Sequence, residues 1–159
     1  MRPPEIRVVL HNIRSAHNVG SIFRTADAIG VSRVYLTGYT PLPVDRFGFP
    51  VKEIAKTALG AERHIPWEHH ARVSALLKRL SEDGNEIIGV EQDARAVDYR
   101  FYLPQRRKVV VVVGNEVRGL SPSLRARCDT LIEIPMRGKK ESLNVSVAFG
   151  IAMFRMFDR

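Results

Sequence analysis

Apolar and β-branched residues gather in short runs at Glu5 to Leu10, Ser32 to Thr37, Glu86 to Glu91, Lys108 to Val113 and Thr130 to Ile134, and each run predicts a β-strand. The unbroken valines from Val109 to Val113 suit only a strand covered on both faces. Between these runs the apolar period lengthens to that of a helix, over 18 to 29, 69 to 83, 122 to 128 and 142 to 158. Strands alternating with helices predict an α/β domain, a mainly parallel sheet flanked by helices.

The first helix separates its faces clearly. Val19, Ile22, Phe23 and Ala26 follow the i, i+3, i+4, i+7 pattern, Asn18 is placed to cap the helix and Gly30 to end it. Arg24 then emerges away from the apolar stripe, toward solvent or a cleft. The last helix carries Leu143, Val145, Val147, Phe149, Ile151, Met153, Phe154, Met156 and Phe157 around nearly its whole circumference. One small sheet cannot bury all of that, so part of it is expected to pack on a second copy of the chain. Ser121-Pro122 reads as N-cap and first helical residue. The stretch from Tyr39 to Trp67, rich in Pro, Gly and aromatic residues, reads as a long loop with a short helix near Lys52 to Leu59.

Composition narrows the partner. At 159 residues the chain is long enough for one domain with a real core. Its formal net charge of +8 and pI near 10.1 come from cations spread through every segment, which fits a polyanion such as nucleic acid. No apolar run is long enough to span a bilayer and the first residues lead into a strand, so a soluble cytoplasmic protein is expected. Cys128 is the single cysteine, which excludes an internal disulfide. His69 and His70 are adjacent without HExxH or CxxC spacing, so no metal is expected. There is neither a GxGxxG after the first strand nor a Walker-type GxxxxGK[ST], which removes the anchor for a Rossmann-like oxidoreductase or a nucleotide triphosphatase.

Chemistry concentrates at three strand-to-helix junctions: His11 through Ala26, Gly114 through Ser121, and Ile134 through Val147. The third puts Arg137, Lys139 and Lys140 with Ser142 and Asn144 directly before the apolar last helix, more polar groups than one cap requires, and suited to an anionic partner. In order and spacing the three segments resemble the motifs of the SpoU/TrmH-type RNA ribose 2'-O-methyltransferases, a branch of the SPOUT superfamily, over essentially the full chain.

The resemblance implies a single catalytic domain over 1–159 with no separate N-terminal RNA-binding domain, a deep C-terminal trefoil knot, S-adenosylmethionine as methyl donor, RNA as substrate and a homodimer that completes the site. Periodicity does not reveal the knot, which runs against the usual rules of chain connection. By the family pattern Gly114, Ile134, Met136 and Leu143 contact the donor. From the residues themselves, the strand ends at Val90, Val113 and Ile134 bring backbone groups together, and Gly89, Gly114 and Gly138 permit close approach. The matching positions put Arg24 at the acceptor hydroxyl, Asn18 and Glu116 around it, and Ser142 with Asn144 at the nucleophile or the neighbouring loop. Arg14, Arg118, Arg137, Lys139 and Lys140 are then expected on RNA phosphate.

In the family the arginine has been assigned the role of base, but a guanidinium stays protonated in proteins. Arg24 therefore reads as a charge-assisted donor that gathers a phosphate and steadies the developing alkoxide, while the proton leaves through water, phosphate or Glu116. Transfer RNA is the favoured substrate and ribosomal RNA the second. The rivals are a basic RNA-binding module without chemistry and a related enzyme that methylates a base.

Overall fold

A computed structural model describes residues 2–158. The strands are β1 (Glu5–His11), β2 (Arg33–Thr37), β3 (Trp67–His70), β4 (Glu86–Val90), β5 (Val97–Asp98), β6 (Lys108–Val113) and β7 (Thr130–Glu133). They form one sheet in the order β3-β2-β1-β6-β4-β7-β5, with every pairing parallel. The helices are α1 (Ala16–Ile29), α2 (Lys52–Ala58), α3 (Ala61–His64), α4 (Val73–Glu82), α5 (Pro122–Arg127) and α6 (Val145–Phe157).

Alternation along the central strands explains why both faces are covered. In β6, Val109, Val111 and Val113 point into one cluster with α1, α2 and α6, while Val110 and Val112 point into another with α4 and Leu124 of α5. In β1, Val8 and Leu10 join the first cluster and Val9 the second. Each such fully buried valine is worth about 1.5–3 kcal/mol against exposure, so the core runs through β1 and β6 at the middle of the sheet.

Helix caps moved some boundaries. α1 begins two residues before the expected start because Ser15 caps it, its Oγ accepting from Asn18 N at 3.2 Å. That frees the Asn18 side chain. Gly30 ends α1 in the left-handed region at φ 81°, as expected. Ser121 caps α5, with Pro122 at its first position. α6 starts at Val145, capped by Asn144 and not by Ser142. The helix expected over 69 to 83 starts only at Val73, because Trp67–His70 pairs with β2 as the edge strand of the sheet. That strand, Trp-Glu-His-His, has no apolar period to betray it. β5 and α3 also went unread, being only two and four residues long.

Candidate functional site

β4 lies between β6 and β7 in the sheet, so the segments leaving their carboxyl ends emerge side by side. Together with residues 141–148 they enclose a cavity of about 270 Å³, where ligands of open α/β sheets gather. Val90, Gly114, Ile134, Met136 and Leu143 line it. Gly89 and Val113 do not. Val113 is buried in the core, and a Cβ on Gly89 would stand 2.7 Å from Leu131 Cδ2 and 2.9 Å from Cys128 Sγ. These two residues sit behind the wall, because strand alternation turns them into the packing layers.

The wall after β6 is a loop folded flat on itself. A Cβ on Gly114 would lie 2.8 Å from the Gly119 carbonyl carbon and oxygen, and Gly119 adopts φ 63°. Gly119 N donates to the Asn115 carbonyl at 2.9 Å. Glu91 braces the loop from β4, accepting from Leu120 N at 2.7 Å and from Gln92 N at 3.0 Å. Asn115 is 8% exposed and fully bonded: Nδ2 donates to the Asn12 carbonyl and to the Tyr39 hydroxyl, each at 3.0 Å, and Oδ1 accepts from Val117 N and Arg118 N at 2.9 and 2.8 Å.

At the rim, one hydrogen-bonded chain joins residues from all three motifs. Glu116 accepts from Arg14 N at 2.9 Å, Ser15 N at 3.0 Å and Asn18 Nδ2 at 3.2 Å. Asn18 Oδ1 in turn accepts from Asn144 Nδ2 at 3.1 Å. Asn144 Oδ1 caps α6, accepting from Ser146 N at 2.9 Å and Val147 N at 3.4 Å. The loop at Glu116 and the amino ends of α1 and α6 are thereby fixed to one another.

Burial alone would raise the Glu116 pKa, but the donors from Arg14, Ser15 and Asn18 outweigh it and hold the carboxyl below its ordinary value. A carboxylate so engaged is a weak base and a good helix anchor. With its oxygens taken up by three donors, the Glu116 carboxylate is engaged in holding the loop to α1. Because its folded pKa is depressed, its stabilising contribution is present above the ordinary value of 4.5 and is lost as pH falls through the folded value. Glu116→Gln should lower Tm by about 3 °C at pH 7. In thermal melts across pH the gap to wild type should close below about pH 4.5; a gap that stays constant into acid would refute an ionised anchor.

The remaining expected residues divide. Glu116, Ser142 and Arg118 line the cavity, with Ser142 and Arg118 exposed. Arg14, Arg137, Lys139 and Lys140 are exposed around it without lining it. Arg24 is exposed on α1 outside the cavity and enters none of the ion pairs among the described residues. Cys128 is no nucleophile: burial, then the Asp129 charge, push its thiol up to about 12. Asn12, Asn115 and Glu91 were not singled out from sequence. The first two lay in plain view within the motifs, and Asn12 has the left-handed backbone (φ 53°) that asparagine tolerates better than most side chains.

The profile of the SpoU rRNA Methylase family matches residues 5–154. YacO of Bacillus subtilis (strain 168), named as a candidate TrmH family tRNA/rRNA methyltransferase, is 33% identical over 150 residues, which are 94% of this chain and 57% of that protein. The AdoMet-bound rRNA methyltransferase from Sinorhizobium meliloti superposes with a TM-score of 0.84 at 32% identity, covering 97% of this chain and 56% of that one. The A. aeolicus TrmH/SpoU tRNA modifying enzyme gives a TM-score of 0.82 at 28% identity, over 97% and 74% of the two chains. This chain thus spans little more than half the length of the curated relative. With its sheet, its cavity and nearly all of its sequence inside the match, the chain belongs to the SpoU methylase family.

Proposed function

We propose that this protein transfers a methyl group from S-adenosylmethionine to a ribose 2'-hydroxyl of RNA, with transfer RNA favoured over ribosomal RNA. The observation that carries the reading is the Glu116–Asn18–Asn144 chain, which fixes three remote segments at the rim of one cavity. A binding module without chemistry has no use for such a cavity beside its basic surface.

The residues present suit the donor. Ile134, Met136, Leu143 and Val90 offer apolar walls for an adenine, and backbone groups at Gly114 lie open to its ribose. Glu91, Glu133 and Glu141 supply negative potential for a sulfonium and an ammonium group. When bound, the donor supplies an electrophilic methyl on a positively charged sulfur.

The chain's own work is positioning and charge. Arg118, Arg14, Arg137, Lys139 and Lys140 hold RNA phosphates around the opening. Ser142 and Asn144 border the place where the acceptor sugar sits, and Asn18 with Glu116 behind it keeps Asn144 there. Arg24 gathers a phosphate and steadies the developing alkoxide by charge-assisted hydrogen bonds, and the proton leaves to water or phosphate.

Arg24 lies outside its own cavity, so we assign it to the cavity of a second copy. Val147, Ile151 and Phe154 leave an exposed apolar face on α6, at 49%, 37% and 41%, which supports a homodimer through this helix. After β7 the chain returns past the end of β4, where Gln92 Nε2 donates to the Glu141 carbonyl at 2.7 Å, and the proposed trefoil knot would run through this return.

Incubation with labelled donor and either transfer or ribosomal RNA, followed by alkaline hydrolysis, tests the reading. A blocked 2'-hydroxyl leaves a labelled, uncleaved dinucleotide. Label recovered only on bases would replace ribose by base methylation, and absence of donor binding would remove the enzyme altogether.

A further inference from the structure

The loop leaving β2 carries large aromatic side chains that the core does not use. Tyr39, Phe47 and Phe49 are 60%, 69% and 65% exposed. Such rings are normally buried, and three in one loop call for a partner.

Their presentation is fixed. Tyr39 N donates to Asn12 Oδ1 at 3.0 Å, and its hydroxyl accepts from Asn115 Nδ2, a residue that also lines the cavity. The phenol ring is therefore held beside the opening with its faces free. Farther out, Asp45 Oδ1 accepts from Phe47 N at 2.8 Å and Phe49 N at 3.0 Å, and Asp45 N donates to the Phe49 carbonyl at 2.8 Å. Gly48 closes this tight tip at φ 82°. The Arg46 guanidinium stands 4.7 Å from the centre of the Phe47 ring.

We infer that residues 39–50 are a stacking platform for unpaired nucleobases of the RNA, with Tyr39 next to the reacting sugar and Phe47 and Phe49 continuing the track. This rests on the RNA methyltransferase reading above and adds where the bases flanking the modified nucleotide go. Fixed, exposed aromatic faces accompanied by a cation are what single-stranded RNA recognition employs, because every base has a stacking face while phosphates seek the charge. A protein groove would ask for a continuous apolar surface. Here Arg46 is interleaved with the rings, and the whole chain carries +8.

The test measures binding of a fluorescein-labelled single-stranded oligoribonucleotide of mixed sequence, alone and annealed to its complement. Phe47→Leu with Phe49→Leu, and separately Tyr39→Leu, keep apolar bulk while removing the aromatic faces; Tm should hold for the exposed phenylalanine pair, while Tyr39→Leu also removes an acceptor of Asn115 and is read against Tyr39→Phe, which removes the same bond and keeps the ring. Single-strand affinity should fall at least about fivefold for each ring removed, with little change on the duplex. The slope of affinity against salt should stay as in wild type, since no cation is lost. Tyr39→Phe keeps the stacking face and loses only the hydroxyl that accepts from Asn115, so it should bind much closer to wild type than Tyr39→Leu. Leucine variants that bind single strands as tightly as wild type, while wild type methylates RNA, would overturn the platform alone and leave the enzyme reading standing. A wild-type protein that binds no RNA would overturn both.

Discussion

Arg24→Ala should lower methyl transfer to RNA by about 10²- to 10³-fold while leaving the melting temperature and donor binding near wild type. The loss is large because charge that develops on the acceptor oxygen has no other fixed cation so directly assigned to it. The fold should not suffer, since Arg24 is exposed and makes no ion pair among the described residues. Arg24→Lys keeps the charge and loses the planar fork, so it should recover only part of the rate. Near-full turnover in the lysine variant would remove the need for a two-pronged donor.

The same residue tests whether the site is shared between copies. Arg24→Ala and Asn144→Ala should each be nearly inactive alone, the second because it removes the α6 cap and the link to Asn18. Mixed and allowed to exchange subunits, they should regain roughly a quarter of wild-type activity, because half of the dimers are then hybrids and each hybrid holds one intact site. If Arg24 served its own chain's cavity, every site in the mixture would lack one residue and no activity would return.

Legibility in the sequence followed the strength of the local signal. Strands β1, β2, β4, β6 and β7, the α1 stripe and the Ser121-Pro122 start of α5 were readable because periodicity and capping chemistry act within a few residues. β3 was not, because Trp67–His70 is held by pairing with β2 and its own sequence has no period of either a core strand or an amphipathic helix. The motifs located the cavity, yet the division of labour inside it needed coordinates. Gly89 and Val113 belong to the packing layers although they adjoin residues that line the wall. Glu116 reads as a possible base in sequence and becomes an anchor once its donors are seen. Asn115 passed unremarked because its four bonds connect segments about a hundred residues apart as well as its own turn.

Gly20→Ala should be the most damaging single methyl addition in α1, because this glycine is where α2 lies directly on the helix. A Cβ there would stand 2.0 Å from Thr57 Oγ1, 2.4 Å from the Ile54 carbonyl oxygen and 3.0 Å from Ala58 N. Thr57 Oγ1 donates to the His17 carbonyl at 2.9 Å, so the added methyl also breaks the bond that seats α2 on α1. Helix propensity favours alanine by about 1 kcal/mol, but overpacking against backbone cannot be relieved by a rotamer and should exceed it, giving a net loss of about 3 kcal/mol. Tm should fall by roughly 6–12 °C in a domain of this size. Thr57→Ala in the same chain removes the nearest clash and leaves the Ile54 carbonyl in place, so the double variant should regain part of the loss, read as a coupling in a double-mutant cycle. Turnover should fall with stability even where the protein remains folded, since α1 carries Asn18 to the rim of the cavity and also bears Arg24, the residue proposed to serve the partner's. A Gly20→Ala protein as stable and active as wild type would show that α2 can lift from α1 at little cost, and that the placement of α1 depends on Glu116 and Asn144 alone.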